Sequence, residues 1–259
     1  MNTKPKEPPP RNLLEGKTVL ITAAAGTGIG FATAKRCIEE GATVCISDLH
    51  ERRLGETADQ LAEIGPARPA TRLCNVTDEA QVQALIAGAI EDLGRIDILV
   101  NNAGLGGFAP VAEMTDEQWS QVLDVTLTST FRMTRAVLPH MIERGAGAIV
   151  NNASVLGWRA QKGQSHYAAA KAGVMAFTRC SAMEVAEHGV RINAVSPSLA
   201  MHKFLSKVTP EGLLEELVGR EAFGRAAEPW EIANVIVFLA SDYSSYMTGE
   251  VVAVSSQHP

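Results

Sequence analysis

Tyr167 and Lys171 carry the most chemistry for their spacing; they lie in SHYAAAKAG, Ser165 to Gly173. Four residues apart on a helix, the two side chains share one face, one turn from each other. A phenol with a pKa of about 10 is a poor base near neutrality. A lysine ammonium held beside it favours the phenolate and lowers that value. A phenol tuned in this way exchanges a proton with a neighbouring alcohol or carbonyl oxygen. Ser154 stands upstream at the expected end of a strand, where its hydroxyl can share that oxygen. The same spacing is common in ordinary surface helices, so the rest of the chain decides what the pair means.

The elements that would position these residues alternate along the chain. Lys17 to Thr22, Ala42 to Asp48, ATRLCNV, Arg95 to Val100, GAIVNNAS, Val190 to Pro197 and GEVVAVS read as seven short apolar strands. Helical stretches separate them, among them FATAKRCIEEG, a segment opened by Thr77–Asp78, and a long helix running from a Thr115/Gln118 capping box to about Arg144. This alternation predicts an α/β fold: a Rossmann-type, doubly wound parallel sheet with helices on both faces and right-handed crossovers. Ligands of such sheets bind beyond the carboxyl ends of the strands. The glycine loop, Asp48, Asn75, Asn102, Ser154 and Pro197 all fall there.

The composition agrees. The 259 residues are 46% hydrophobic and only 5% aromatic, with Ala, Val, Ile and Leu supplying the apolar content; this suits a buried parallel sheet. At this length one domain is expected: residues 1–12 read as a flexible tail and 13–259 as the dinucleotide-binding and catalytic domain. With a net charge of −6 and no basic block, no nucleic-acid partner is expected. No apolar run has membrane-spanning length, and the Pro-rich N-terminus lacks the apolar core of a signal peptide. Cys37, Cys45, Cys74 and Cys180 are scattered and read as buried or neutral thiols in a reducing compartment, with no metal site. A soluble, cytoplasmic protein is expected.

Gly26, Thr27, Gly28, Ile29 and Gly30 follow the first strand and open a helix. Glycines there let the backbone approach a pyrophosphate, and the free N–H groups of the helix start bind its charge. Asp48, about twenty residues on, ends the second strand, where a carboxylate accepts from adenosine ribose hydroxyls and repels a 2′-phosphate. The expected cofactor is therefore NAD, with NADP the less favoured choice; Arg52 and Arg53, which could answer a phosphate, read as part of a solvated helix face. Asn101 and Asn102 of NNAG suit the unusual backbone of a turn and can also brace the sheet. Beside a dinucleotide, Ser154 would hold a substrate oxygen, Tyr167 exchange its proton, and Lys171 shift the phenol and bond the nicotinamide ribose.

Together the glycine loop, NNAG, Ser154, the Tyr167–Lys171 pair, RINAVSP and the ending EPWEIANVIVFLASDYSSYMTGEVV resemble the short-chain dehydrogenase/reductase family from about Leu14 to Val254. The resemblance implies a seven-stranded sheet, an NAD(P) cofactor, a homotetramer, and catalysis by Ser154, Tyr167 and Lys171. It further implies that Asn75 and Val76 flank the adenine, that Asn102, Ala103 and Gly104 lie along the adenosine ribose, and that Pro197 to Ala200 meet the nicotinamide. Departures stand out. Ala23 replaces the usual loop glycine, and the loop is one residue longer. Thr126 replaces an asparagine expected to hold a water beside the lysine. Ser198 follows Pro197, and SSQHP replaces the usual Asp-Gly-Gly ending.

Leu156, Trp158, Leu199, Met201 and Phe204 would give the substrate an apolar mouth, although Trp158 and Phe204 could equally be core or interface residues. The pattern is similar to bacterial 3-oxoacyl reductases and to a branch acting in steroid-ring and CoA-thioester catabolism. An acidic carrier protein is a poor electrostatic match for a chain of net charge −6, and His188 stands where carrier-protein reductases are basic. The expected substrate is a bulky apolar small molecule, a secondary alcohol or ketone of steroid-ring or CoA-thioester type. The alternatives are an NADPH-dependent 3-oxoacyl thioester reductase and a non-catalytic dinucleotide-binding regulator.

Overall fold

A computed structural model describes residues 5–201 and 212–256. Seven strands form one parallel sheet: β1 (Thr18–Ile21), β2 (Thr43–Asp48), β3 (Ala70–Leu73), β4 (Ile98–Asn101), β5 (Gly147–Asn152), β6 (Val190–Pro197) and β7 (Val251–Val254). Their order is β3-β2-β1-β4-β5-β6-β7. The winding reverses between β1 and β4, which opens a crevice at their carboxyl ends.

The sheet is covered on both faces, which explains why its strands read as apolar runs rather than alternating ones. In β1, Val19 and Ile21 face a core shared with α1 (Ile29–Glu39), α2 (Glu51–Ala62) and α8 (Pro229–Ala240). Leu20 faces the opposite core, packed by α3 (Glu79–Leu93), α5 (Ser129–Arg144) and α6 (Ser165–Val185). The remaining described helices are α4 (Asp116–Leu123) and the short α7 (Leu213–Gly219).

Local signals hold where the chemistry was explicit. Asp78 caps α3 by accepting from the Gln81 N–H, and Thr115 and Gln118 form the reciprocal capping box of α4. One expectation needs correction. The helix expected to run unbroken to Arg144 is interrupted by a π-helical turn over Asp124–Thr128. Thr126 lies inside it, fully buried, and its hydroxyl is tied to Leu105 of a neighbouring loop; single π-helical turns of this kind occur inside α-helices, often at functional sites.

The stretch expected to be a flexible tail makes specific contacts from Glu7 onward. Arg36 donates to the carbonyls of Pro8 and Pro9, and buried Glu40 accepts from the Arg11 and Leu13 N–H groups. Cys37, Cys45 and Cys74 are buried, whereas Cys180 is exposed. Burial pushes the first two thiols up to about 12 and Cys74 to about 11. Among the described residues no helix is long and apolar enough to cross a membrane.

Candidate active site

The glycine loop is held from three sides. The Gly26 N–H donates to Thr57 Oγ1, and the Ala25 N–H donates to the Asp48 carboxylate at 3.2 Å. Asn102 Nδ2 donates to the carbonyls of Thr22 and Ala23 at 3.2 and 3.0 Å. Gly28 occupies the N-cap of α1 with no side-chain cap, and the first turn, opened by Ile29 and Gly30, carries no acid. Those first N–H groups suit an anion such as a pyrophosphate. A Cβ at Gly26 would enter open space, while Thr27 is exposed beside it. The chain therefore has a cradle that fits a dinucleotide.

Asp48 ends β2 at the lip of this cradle and is mostly buried. It also accepts from the His50 N–H at 3.0 Å and lies 3.7 Å from Arg53. Burial raises its carboxyl, and the Ala25 N–H and Arg53 oppose that shift. Arg53, expected on a solvated helix face, is thus directed at Asp48. Asn75 and Val76 follow β3; the Asn75 side chain accepts from both the N–H and the hydroxyl of Thr77, an Asx turn that fixes this rim.

Asn102, Ala103 and Gly104 leave β4 beside the loop. Thr22 Oγ1 accepts from the Asn102 and Ala103 N–H groups. Asn152 of β5 donates to Asn102 Oδ1 at 3.0 Å, and one residue back Asn101 donates to Asn151 Oδ1 at 2.9 Å. This Asn ladder locks the ends of β4 and β5 in parallel register. Thr22, Thr57, Asn151 and Asn152 were not singled out from sequence. The doubled Asn at the end of each strand was a signal for Asn151 and Asn152; Thr22 and Thr57 gave none.

On the other side of the crevice, Ser154, Tyr167 and Lys171 come together. Ser154 caps a 3₁₀ turn (Val155–Gly157) by accepting from the Leu156 N–H, and its hydroxyl is hydrogen-bonded to the Tyr167 phenol. Tyr167 and Lys171 occupy the first two turns of α6, with Lys171 Nζ 5.5 Å from the centre of the Tyr167 ring. Lys171 is 2% exposed, and its Nζ donates to the Asn152 carbonyl at 2.5 Å. Burial pushes the lysine down to about 7. Burial also pushes the phenol up to about 12, against the pull of Ser154. The sequence led us to expect a phenol lowered by an ammonium. The structure differs because both groups are desolvated together, and each loses its charged form.

Pro197 ends β6 at the same edge. Ala200 pairs with Ala227, and the Met201 N–H donates to the Ala227 carbonyl. Trp158 is 52% exposed on the mouth side; Leu156 and Leu199 are partly buried. Phe204 lies outside the described residues. His188 is exposed beside Glu187.

A family model described as enoyl-(acyl carrier protein) reductase matches residues 23–256. The hexahydro-indene-carboxyl-CoA reductase of Mycobacterium tuberculosis (its full name begins (5R,7aS)-5-hydroxy-7a-methyl-1-oxo) is 64% identical over 100% of this chain and 99% of its own. This chain belongs to the short-chain dehydrogenase/reductase family. The 3-oxoacyl-(acyl-carrier-protein) reductase FabG of Thermotoga maritima is 42% identical over 93% of this chain and 97% of its own. Among solved structures, a short chain dehydrogenase from Mycobacterium smegmatis is 61% identical, with a TM-score of 0.89 and coverage of 100% of this chain and 99% of that one. The protein is an oxidoreductase that acts between CH–OH groups and ketones with a nicotinamide cofactor.

Proposed function

We propose that this chain is an NAD-dependent oxidoreductase acting on a bulky apolar secondary alcohol or ketone carried as a CoA thioester. Ser154, Tyr167 and Lys171 carry the proton chemistry. The observation behind this is the hydrogen-bonded Ser154–Tyr167 pair, with desolvated Lys171 against it, across the crevice from the glycine loop.

When bound, a nicotinamide supplies or accepts the hydride. Gly26 to Gly30 would hold its pyrophosphate, Asp48 its adenosine ribose, Asn75 and Val76 its adenine, Asn102 to Gly104 the crevice floor, and Pro197 to Ala200 the nicotinamide end. Ser154 orients the substrate oxygen. With its pKa raised to about 12, Tyr167 stays protonated at neutral pH, the form that gives a proton to a carbonyl oxygen undergoing reduction. Lys171, lowered to about 7, is poised to exchange a proton with the phenol. In the oxidative direction its ammonium would stabilise the phenolate.

NAD is favoured over NADP because Asp48 is held in place by two backbone N–H groups and already faces Arg53. The CoA thioester is supported by the mycobacterial relative, a hexahydro-indene-carboxyl-CoA reductase. The FabG relative supports the rival, an NADPH-dependent 3-oxoacyl thioester reductase. Family membership and the apolar Phe131 and Met183 exposed on α5 and α6 support a homotetramer of a cytoplasmic protein, with residues 13–259 as its catalytic domain.

The test is a fluorescence titration with NADH and NADPH, followed by turnover of cyclic alcohols and hydroxyacyl-CoA thioesters. We expect tighter NADH binding and turnover of CoA thioesters. Tyr167→Phe should lower kcat/KM by about 10²–10⁴-fold at unchanged NADH affinity. A clear NADPH preference would sink the reading of Asp48, and equal activity of wild type and Tyr167→Phe would sink that of the phenol.

A further inference from the structure

The loop after β4 meets α6 backbone-first. A Cβ at Gly104 would lie 3.4 Å from Lys171 Nζ, one at Gly106 would lie 3.9 Å from Tyr167 Cδ2, and one at Gly107 would lie 3.2 Å from His166 Nε2. Three glycines thus lie against three side chains of the same two helical turns. The loop is pinned between the first two glycines, at Leu105, and beyond the last, at Ala109. Thr126 Oγ1 accepts from the Leu105 N–H and donates to the Leu105 carbonyl. The Ala109 N–H donates to the Gly163 carbonyl at 3.0 Å, and Gly163, at φ +75°, leaves space that the Phe108 ring fills.

Of the three side chains beneath this loop, His166 has no part in the proton chemistry. It is 2% exposed; burial lowers its pKa against the pull of the nearby Gln164 carbonyl, and its Nδ1 has no hydrogen bond of good geometry. Buried polar atoms are rarely left unpaired, and a smaller apolar residue would avoid the cost. The position nevertheless has geometric consequences. Shortening the side chain at 166 removes the seat of Gly107, whereas any side chain at 107 pushes the loop off that seat.

We propose that His166 is a positioning residue for substrate: its ring seats Gly107 and so sets the 104–109 loop as a wall of the substrate cleft over Tyr167. The inference rests on the reading of Tyr167 as the proton-transfer group. It places the effect of His166 in substrate fit, because Ser154, Tyr167 and Lys171 keep their own contacts when the wall moves.

The test combines kinetics with hydrogen exchange. With acetoacetyl-CoA and NADH as the probe pair, His166→Ala and Gly107→Ala should each raise KM about tenfold with little change in kcat or NADH affinity. The double variant should be no worse than the worse single one, because both remove one contact. His166→Gln, which keeps a polar group of similar reach, should recover most of the loss. In the free protein, His166→Ala should speed amide exchange over 104–110 and 158–165 and leave the β1–β3 edge unchanged. Unchanged KM and exchange, fully additive effects, or a fall in kcat at constant KM would each overturn the proposal. Exchange needs no substrate. If acetoacetyl-CoA is not turned over, the KM arm is read with a bulkier hydroxyacyl-CoA thioester, failure of all such thioesters sinks the CoA-thioester reading, and the exchange pattern still decides the role of His166.

Discussion

The two sides of the crevice treat their polar groups differently. On the β1–β2 side, Asp48 accepts from the Ala25 and His50 N–H groups and Thr22 Oγ1 accepts from the Asn102 and Ala103 N–H groups, with the Ser47 hydroxyl the one buried group there without a partner among the described residues. On the β5–α6 side, Asn152 Oδ1 and Ser165 Oγ are buried without partners, His166 Nδ1 has no hydrogen bond of good geometry, and Lys171 and Tyr167 are pushed toward their neutral forms. A satisfied network is rigid and suits holding a fixed ligand. Desolvated groups with shifted pKa values suit proton transfer. The fold places the two kinds of site face to face by reversing its winding between β1 and β4.

The binding side should break most sharply at Gly30. A Cβ there would lie 2.5 Å from Asn102 Nδ2 and 2.6 Å from the Ala23 carbonyl, both groups of the loop brace. Gly30→Ala must therefore move α1 or the Asn102 bonds. We expect a stability loss of about 1–3 kcal/mol, typical of overpacking. NADH affinity should fall about a hundredfold, the equivalent of about 2.7 kcal/mol. A binding isotherm within twofold of wild type would show that the brace is not what shapes the cradle.

The chemical side is best probed through pH. Lys171 drops from 10.5 to about 7 on burial. Between those values the unfolded chain binds a proton that the folded chain does not, so stability rises with pH. The slope is about 1.4 kcal/mol per pH unit, and the destabilisation is full below pH 7. Lys171→Met has no such proton. The stability difference between Lys171→Met and wild type, from urea denaturation, should therefore shift by about 2–3 kcal/mol in favour of wild type from pH 7.5 to 9.5. A difference that stays flat across that range would mean that the lysine remains an ammonium in the fold.

This contrast also separates what could be read in the sequence from what could not. The seven strands, the cradle and the meeting of Ser154 with Tyr167 were legible because they rest on local patterns: apolar runs, glycine placement, and helical spacing. The π-helical turn at Thr126 was not, and the Thr126 hydroxyl bonds Leu105, 21 residues away in the chain, which no local pattern reports. The pKa direction of Tyr167 was misjudged because spacing reports proximity but not desolvation. His166 gave no signal, since its role depends on a glycine of another loop. Arg53 does lie on the exposed face of α2, and its 3.7 Å approach to Asp48 is tertiary placement that the sequence does not report.

The smallest expected effect returns to the binding side. Ala23 adopts φ +50°, a left-handed conformation in which the family resemblance calls for glycine. That conformation costs a residue with a Cβ about 1–2 kcal/mol. The Ala23 carbonyl accepts from Asn102 Nδ2, and the following N–H donates to the Ser47 carbonyl, so the surrounding bonds hold the strained residue in place. Ala23→Gly removes the strain but gives the unfolded chain more freedom, which returns about 0.4–1 kcal/mol. The net gain should be about 0.5 kcal/mol, measured as a higher urea midpoint at unchanged slope. NADH affinity should not change, because the bonds that shape the loop do not involve the Ala23 side chain. If the midpoint rose while NADH binding weakened, the strain would be part of how the cradle is set.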